Sequence, residues 1–173
     1  RNARIGLRRI ARTASTMPRV SRAMPVQHED IEREGETPFG RMLEALDDLK
    51  QGEVYLAAGA SPHYALWGEL MSTRAMHLGA VGAVLDGASR DTPGILALNF
   101  PTFATGRYAQ DQRGRGTVTD FRCPVQVGQV RIEPGDLIVG DLDGVIAIPK
   151  AAEEEAIRRA LEKRMQQGKF HAA

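Results

Sequence analysis

Apolar positions follow the helical period from Phe39 through Met42, Leu43, Leu46 and Leu49. Thr37-Pro38 stands before them as an N-cap followed by a proline at the first helical position, so a helix is predicted from Thr37, ended by Gln51-Gly52. The period then gives way to an unbroken apolar run, Val54 to Ala58, the pattern of a strand covered on both faces. After a loop from Gly59 to Pro62, a second helix is predicted over about Ala65 to Leu78, with Met71, Ala75 and Leu78 on one face and Gly79 closing it. Val81 to Leu85 repeats the buried-strand pattern. Pro93-Gly94 turns the chain into a further predicted strand, Ile95 to Phe100, limited by Pro101.

From Thr117 onward short strands dominate. Thr117 to Arg122, Val125 to Val127, Gln129 to Ile132, Leu137 to Val139 and Val145 to Ile148 are separated by Gly128, Pro134-Gly135 and Asp143-Gly144, which read as tight turns. The last element, Ala151 to Gln167, reads as a helix with Glu153, Glu154 and Glu155 in its first turn and Arg158, Arg159, Lys163 and Arg164 later, the order that suits the helix dipole. Glu154/Arg158 and Glu155/Arg159 are spaced for surface pairs. No internal repeat interrupts the chain, and 173 residues with 42% apolar side chains suit one domain, residues 1–173.

Charge changes this picture only at the front. The net charge of +1 points to neither a nucleic acid nor a membrane surface as partner of the whole chain. Residues 1–22 gather Arg1, Arg4, Arg8, Arg9, Arg12, Arg19 and Arg22 without an acid. An RNA-binding arm, an organellar presequence remnant, or a surface strand or loop with a basic edge each explains that run, the last most simply. The acidic run from Glu29 to Glu36 offsets it and reads as a solvated connection able to lie against it. The single cysteine, Cys123, excludes an internal disulfide and makes no zinc pattern; a reduced, half-buried thiol fits a cytoplasmic protein. No apolar run approaches the roughly 18 residues of a membrane span. The chain starts at Arg1 rather than methionine, as a piece of a longer product would.

Familiar chemistries are missing. No glycine-rich loop ends in Gly-Lys-Ser/Thr, and Gly79 to Ala83 lacks the glycine spacing of a dinucleotide site. His28, His63, His77 and His171 are scattered; Ser61 and Ser89 lack a nucleophile's context; Asp141-Leu142-Asp143-Gly144 reads as a hairpin turn rather than a calcium loop. The remaining stretch runs from Gly68 to Asp91. A helix packed back along a strand would bring Glu69 near Arg90 and Asp91. The amides of Gly68, Glu69, Leu70 and Met71 fall at a helix N-terminus, where N–H groups lack partners and an anion is favoured. Arg90 offers a planar fork of donors to a carboxylate or a developing enolate, and Asp91 one hard oxygen ligand to Mg2+. On these residues alone, an ordinary surface Arg-Asp pair beside a helix cap explains the pattern about as well.

Gly68-Glu69-Leu70-Met71, the twenty residues between Glu69 and Arg90, Asp86-Gly87-x-x-Arg90-Asp91, and the later run from Pro134-Gly135-Asp136 to Asp143-Gly144-Val145 together resemble the RraA-like family. That family includes regulators of ribonuclease E activity and class II 4-hydroxy-4-methyl-2-oxoglutarate aldolases, which also decarboxylate oxaloacetate. The resemblance, from about Phe39 to the last helix, implies a compact α/β/α domain with a swivelling β-sheet core, assembled as a homotrimer or hexamer with the site near a subunit boundary. It implies that the amides of Gly68 to Met71 and the Arg90 guanidinium bind the pyruvoyl part of a small 2-keto acid. Asp91 would bind Mg2+ or Mn2+, and Glu69 would hydrogen-bond metal waters or help move a proton. The family's additional N-terminal helical segment, which precedes the stretch that Ala11-Arg12-Thr13 matches, is not seen in this sequence.

The implied reaction cleaves a carbon–carbon bond of the keto acid through a pyruvate enolate, so that retro-aldol cleavage and decarboxylation share one intermediate. A Schiff-base aldolase is disfavoured by the residues themselves, since no lysine occurs between Lys50 and Lys150. A non-catalytic regulator that docks on a ribonuclease is the alternative; it has no need of Glu69, Arg90 and Asp91 together. A methyltransferase is disfavoured because no glycine-rich cofactor loop follows the first strand.

Overall fold

The computed structural model describes residues 3–5, 8–9 and 21–170, with side chains over residues 21–166. Four parallel strands form its centre: β3 (Ser21–Asp30), β4 (Glu53–Ala58), β6 (Gly82–Ser89) and β7 (Thr102–Arg107), in that spatial order. Each connection carries a short helix, α1 (Met42–Asp47), α2 (Glu69–His77) and α3 (Thr92–Ala97), which makes three consecutive βαβ units. The strands β1 (Ala3–Ile5), β2 (Arg8–Arg9), β5 (Ala65–Trp67) and β8 (Gly116–Phe121) add to this sheet, and β11 (Leu137–Asp141) with β12 (Gly144–Ile148) extend it antiparallel beside β3. The hairpin of β9 (Val125–Val127) and β10 (Val130–Ile132) stands apart, and α4 (Glu153–Phe170) ends the described chain after a 3-10 turn. The α/β class is as expected.

Only residues 6 and 7 separate β1 from β2, yet these strands lie at opposite ends of the order β1-β12-β11-β3-β4-β6-β7-β2. Three Cα steps cover at most about 11 Å. The sheet therefore curls until its two edges come together.

Alternation along each strand divides the core accordingly. Tyr55, Ala57, Ala83, Leu85 and Ala104 face outward to Ala45 and Leu46 of α1, Ala75 of α2 and Ile95 of α3. Val54, Leu56, Ala58, Val84 and Phe103 face inward to Val125, Ile132, Ile138 and Val145. Each fully buried aliphatic side chain contributes roughly 1.5–3 kcal/mol, so both faces of β4 and β6 anchor the strands whose ends carry the site.

Several boundaries differ from the sequence reading. The first helix starts at Met42, not Thr37, because Phe39 and Gly40 are left-handed (φ 66° and 60°). Val118 N–H donates to Phe39 O (3.0 Å) and Arg41 N–H to Val118 O (2.9 Å), tying this corner to β8 before a helix can begin. Glycine is required at position 40, where a Cβ would collide with Thr117 and the Val118 carbonyl. The second helix begins at Glu69, since Ala65–Trp67 pairs with β6 as a strand. The predicted strand from Ile95 to Phe100 is instead α3 and the turn after it: Pro93 lies in its first turn and Ile95 fills the outer core.

The second half follows the reading closely, including the Asp141–Gly144 hairpin turn. In α4, Glu155 pairs with both Arg158 and Arg159, while Arg158 also reaches Glu162 rather than Glu154. Cys123 is a half-buried free thiol, pushed upward in pKa by burial. The expectations for residues 10–20, including the match of Ala11-Arg12-Thr13, lie outside the described residues. None of the described helices is long and apolar enough to cross a membrane.

Candidate active site

Two parallel strands finish side by side and deliver the site. Trp67, the last residue of β5, lies opposite Ser89, the last of β6, so Gly68 and Arg90 leave the sheet together. Arg90 N–H donates to Trp67 O (2.9 Å) and fixes this exit. Trp67 is buried between Tyr55 and Phe100, with ring centroids 4.8 and 6.1 Å away. Its Nε1 donates to Ser72 Oγ (2.7 Å), which donates to Gly68 O (3.0 Å), pinning the first turn of α2 to the core.

Asp91 is left-handed (φ 54°, ψ 36°) at the N-cap position of α3. An aspartate at this position ordinarily caps its own helix. Here it makes no such bond; its Oδ2 accepts the Glu69 N–H of the neighbouring helix (3.2 Å). Gly68 permits that approach, since a Cβ there would lie 2.5 Å from Asp91 Oδ2. A strained residue that leaves its own helix uncapped so that its carboxylate can face another element is the kind of outlier concentrated at functional sites.

The Arg90 guanidinium lies between two carboxylates. Its Nε is 3.7 Å from Asp91 Oδ2, and its Nη1 donates to Asp111 Oδ2. Asp111 Oδ1 accepts Arg113 N–H (2.6 Å), so both oxygens of Asp111 are engaged. Arg90, Asp91 and Asp111 line a cavity of about 320 Å³ together with Gly68, Leu70, Met71 and Gln112, and its apolar wall includes Phe39, Met42, Leu43 and Leu46.

Five of the six residues singled out from the sequence thus share one cavity. Glu69 is the exception: it contributes its amide beside the cavity, while its exposed carboxylate lies over Gly94. That amide is already bonded to Asp91, so an incoming anion finds Leu70 and Met71, whose N–H groups in the first turn of α2 have no intrahelical acceptor. Asp86, from the same motif, lines neither this cavity nor the hollow beside it; burial pushes its carboxyl pKa upward.

Sequence reasoning missed Asp111 and Gln112. They belong to a loop held by Tyr108 N–H to Ser89 O (2.9 Å), Ala65 N–H to Gln110 O (2.8 Å) and Ile31 N–H to Arg115 O (2.9 Å). Gln112 is only 4% exposed, and neither polar atom of its side chain has a partner. The polar run from Gln110 to Arg115 carries no local signal of this placement; only the tertiary bonds reveal it.

Glu69, Asp91 and Asp111 against Arg90 give these four side chains a formal charge of −2, which repels an anionic substrate unless a cation joins them. Among the described residues no three His, Cys, Asp or Glu side chains cluster as a ready-made metal cage. One exposed carboxylate with room for waters fits Mg2+, which retains much of its hydration and takes few protein ligands. Asp91 would be that carboxylate if a metal binds here.

Comparison with known proteins identifies the family. A protein of Halalkalibacterium halodurans, provisionally named a 4-hydroxy-4-methyl-2-oxoglutarate aldolase, is 38% identical over 123 residues, covering 70% of this chain and 58% of its own length. Protein DlpA of Legionella pneumophila is 27% identical over 169 residues, 97% of this chain but 27% of that protein. The chain therefore spans little more than half of the first relative and about a quarter of the second. The crystal structure of Streptomyces coelicolor RraAS2, described as an unusual member of the RNase ES inhibitor RraA protein family, superposes with a TM-score of 0.82 at 21% identity, covering 100% of this chain and 84% of that one, and shares its fold. The family profile for RraA-like proteins, Aldolase/RraA, matches residues 2–147, and the chain belongs to that family.

Proposed function

We propose that this chain forms the catalytic unit of a divalent-metal-dependent lyase that cleaves a carbon–carbon bond of a 2-keto acid. The observation that carries this reading is the diversion of the Asp91 carboxylate from its own helix to the space beside Arg90 and the first turn of α2. The names of the aldolase relatives support it. Retro-aldol cleavage of 4-hydroxy-4-methyl-2-oxoglutarate and decarboxylation of oxaloacetate are the candidate reactions.

The substrate's terminal carboxylate docks at the Leu70 and Met71 amides, where the N-terminal end of a helix favours negative charge. Arg90, held in place by Asp111, directs its remaining donors at the keto oxygen, where negative charge grows as the bond beyond C3 breaks. In the retro-aldol direction the bonding pair passes into the pyruvate enolate, and the C4 hydroxyl loses its proton as C4 becomes a carbonyl carbon. Glu69, whose exposed carboxylate lies over Gly94, would move that proton. Asp91 would hold Mg2+ or Mn2+, which when bound supplies Lewis-acid stabilisation of the developing enolate. Self-association as a trimer or hexamer belongs to the same reading. Ile157, Leu161 and Met165, spaced along one face of α4 and exposed, offer a surface to a second copy.

The test measures pyruvate release from both acids with Mg2+, with excess chelator, and with Asp91→Ala. Metal-dependent release that falls at least about 100-fold in the variant is expected. No release from the wild-type protein in its verified oligomer would overturn the lyase reading and turn attention to a ribonuclease-binding regulator.

A further inference from the structure

A second hollow, of about 260 Å³, shares Arg90 and Asp91 with the cavity and is otherwise lined by Ser89, Thr92, Arg107, Tyr108 and Ala109. Ser89 and Arg107 are direct partners in the parallel pairing of β6 and β7, which places them on one face of the sheet. Ser89 is fully buried, and its hydroxyl has no hydrogen-bond partner. Arg107 is exposed and forms no ion pair among the described residues.

The sign of charge reverses between the two spaces. The three charged side chains that line the cavity, Arg90, Asp91 and Asp111, sum to −1, whereas Arg90 and Arg107 against Asp91 leave the hollow at +1. Its remaining polar groups, the hydroxyls of Ser89, Thr92 and Tyr108, can all donate. A dehydrated hydroxyl without a partner is destabilising, and an anion that accepts its hydrogen bond removes that cost without stripping further water from it. A donor-rich hollow of positive sign, open to the reacting centre, suits a carboxylate.

We propose that this hollow receives the second carboxylate of the substrate, and that Arg107 selects dicarboxylic over monocarboxylic 2-keto acids. The proposal rests on the lyase reading and adds what the pyruvoyl site leaves open, the nature of the substrate's far end. With the first carboxylate at Leu70 and Met71, the chain of the acid passes Arg90, and its far end enters the hollow. Arg107 binds by charge and by its planar fork, and Ser89 donates from below.

The experiment compares kcat/KM for 4-hydroxy-2-oxoglutarate with that for 4-hydroxy-2-oxopentanoate, which carries a methyl group in place of the second carboxylate. The diacid-to-monoacid ratio falls about tenfold or more in Arg107→Gln, chiefly through KM, and Arg107→Lys restores part of it. A ratio within about twofold of wild type in Arg107→Gln overturns the proposal. In parallel, succinate, which the enzyme has no means to cleave, is titrated by calorimetry against both proteins, with binding at least about tenfold weaker in Arg107→Gln expected. If the wild type turns over neither keto acid, the lyase reading fails and succinate alone decides. Succinate that binds both proteins equally, or binds neither, overturns the subsite.

Discussion

His28 makes the stability of this protein depend on pH well above the carboxylate range. It lies in β3 at a bulge facing β8, fully buried, and neither ring nitrogen has a partner. Burial lowers its pKa from 6.5 to about 4, because nothing in its surroundings compensates a charged imidazolium. In the unfolded chain the ring takes up a proton as pH falls below 6.5, while the folded chain resists until about 4. The stabilisation is therefore complete above pH 6.5 and is lost as pH descends toward 4. Linkage over that interval gives a loss of about 2 kcal/mol at pH 5 and about 3 kcal/mol at pH 4, a large part of a typical domain's stability. Urea unfolding midpoints measured from pH 7.5 to 4.5 should show this decline in the wild type. His28→Leu removes two unpartnered nitrogens without breaking a hydrogen bond, so it should fold, with a flatter profile across the same range. Parallel profiles for the two proteins would refute the reasoning, since the remaining acid sensitivity would then belong to carboxylates.

Gly68→Ala places a methyl group 2.5 Å from Asp91 Oδ2 and forces that carboxylate aside. Lyase activity should fall at least about tenfold while the melting temperature changes little; full activity would show that the position of Asp91 is not critical. Arg122, left-handed at the end of β8, donates to both oxygens of Glu53 (2.8 and 2.9 Å) and to Asp48 O (2.8 Å), and also pairs with the Asp48 carboxylate. Arg122→Met leaves Glu53, whose side chain is 13% exposed, without its counter-charge and should cost about 2 kcal/mol in urea unfolding. Arg122→Lys should recover only part, because a single ammonium cannot serve both acids.

What the sequence revealed and what it concealed divide along physical lines. Val54 to Ala58 and Val125 to Val127 were legible because burial and local pattern agree there. Arg90 and Asp91 were legible because a strand and a helix of ordinary length return the chain to Gly68, and the structure brings these residues together. Ile95 to Phe100 misled because four to six apolar residues suit strand or helix alike; the deciding signal was Pro93, which favours a first helical turn. Phe39 was misplaced because its left-handed backbone is imposed by β8, nearly eighty residues away in sequence. Asp111, Gln112 and Arg107 were invisible for the same reason. Their neighbours come from β5, β6 and the Arg90 corner, and no local pattern marks a loop that tertiary bonds carry to a cavity.

The closure of the curled sheet has a consequence for the life of the chain in a crowded cell. Residues 3–5 and 8–9, close together in sequence, supply the outermost strands at the two ends of the order and mask the free backbone groups of β12 and of β7. A newly made or nicked molecule in which these strands are displaced presents two adhesive borders at once, each able to recruit a strand from another molecule. Two borders permit linear polymers where one would permit only pairs. The strands β1 and β2 thus act as a latch against aggregation as much as a part of the fold.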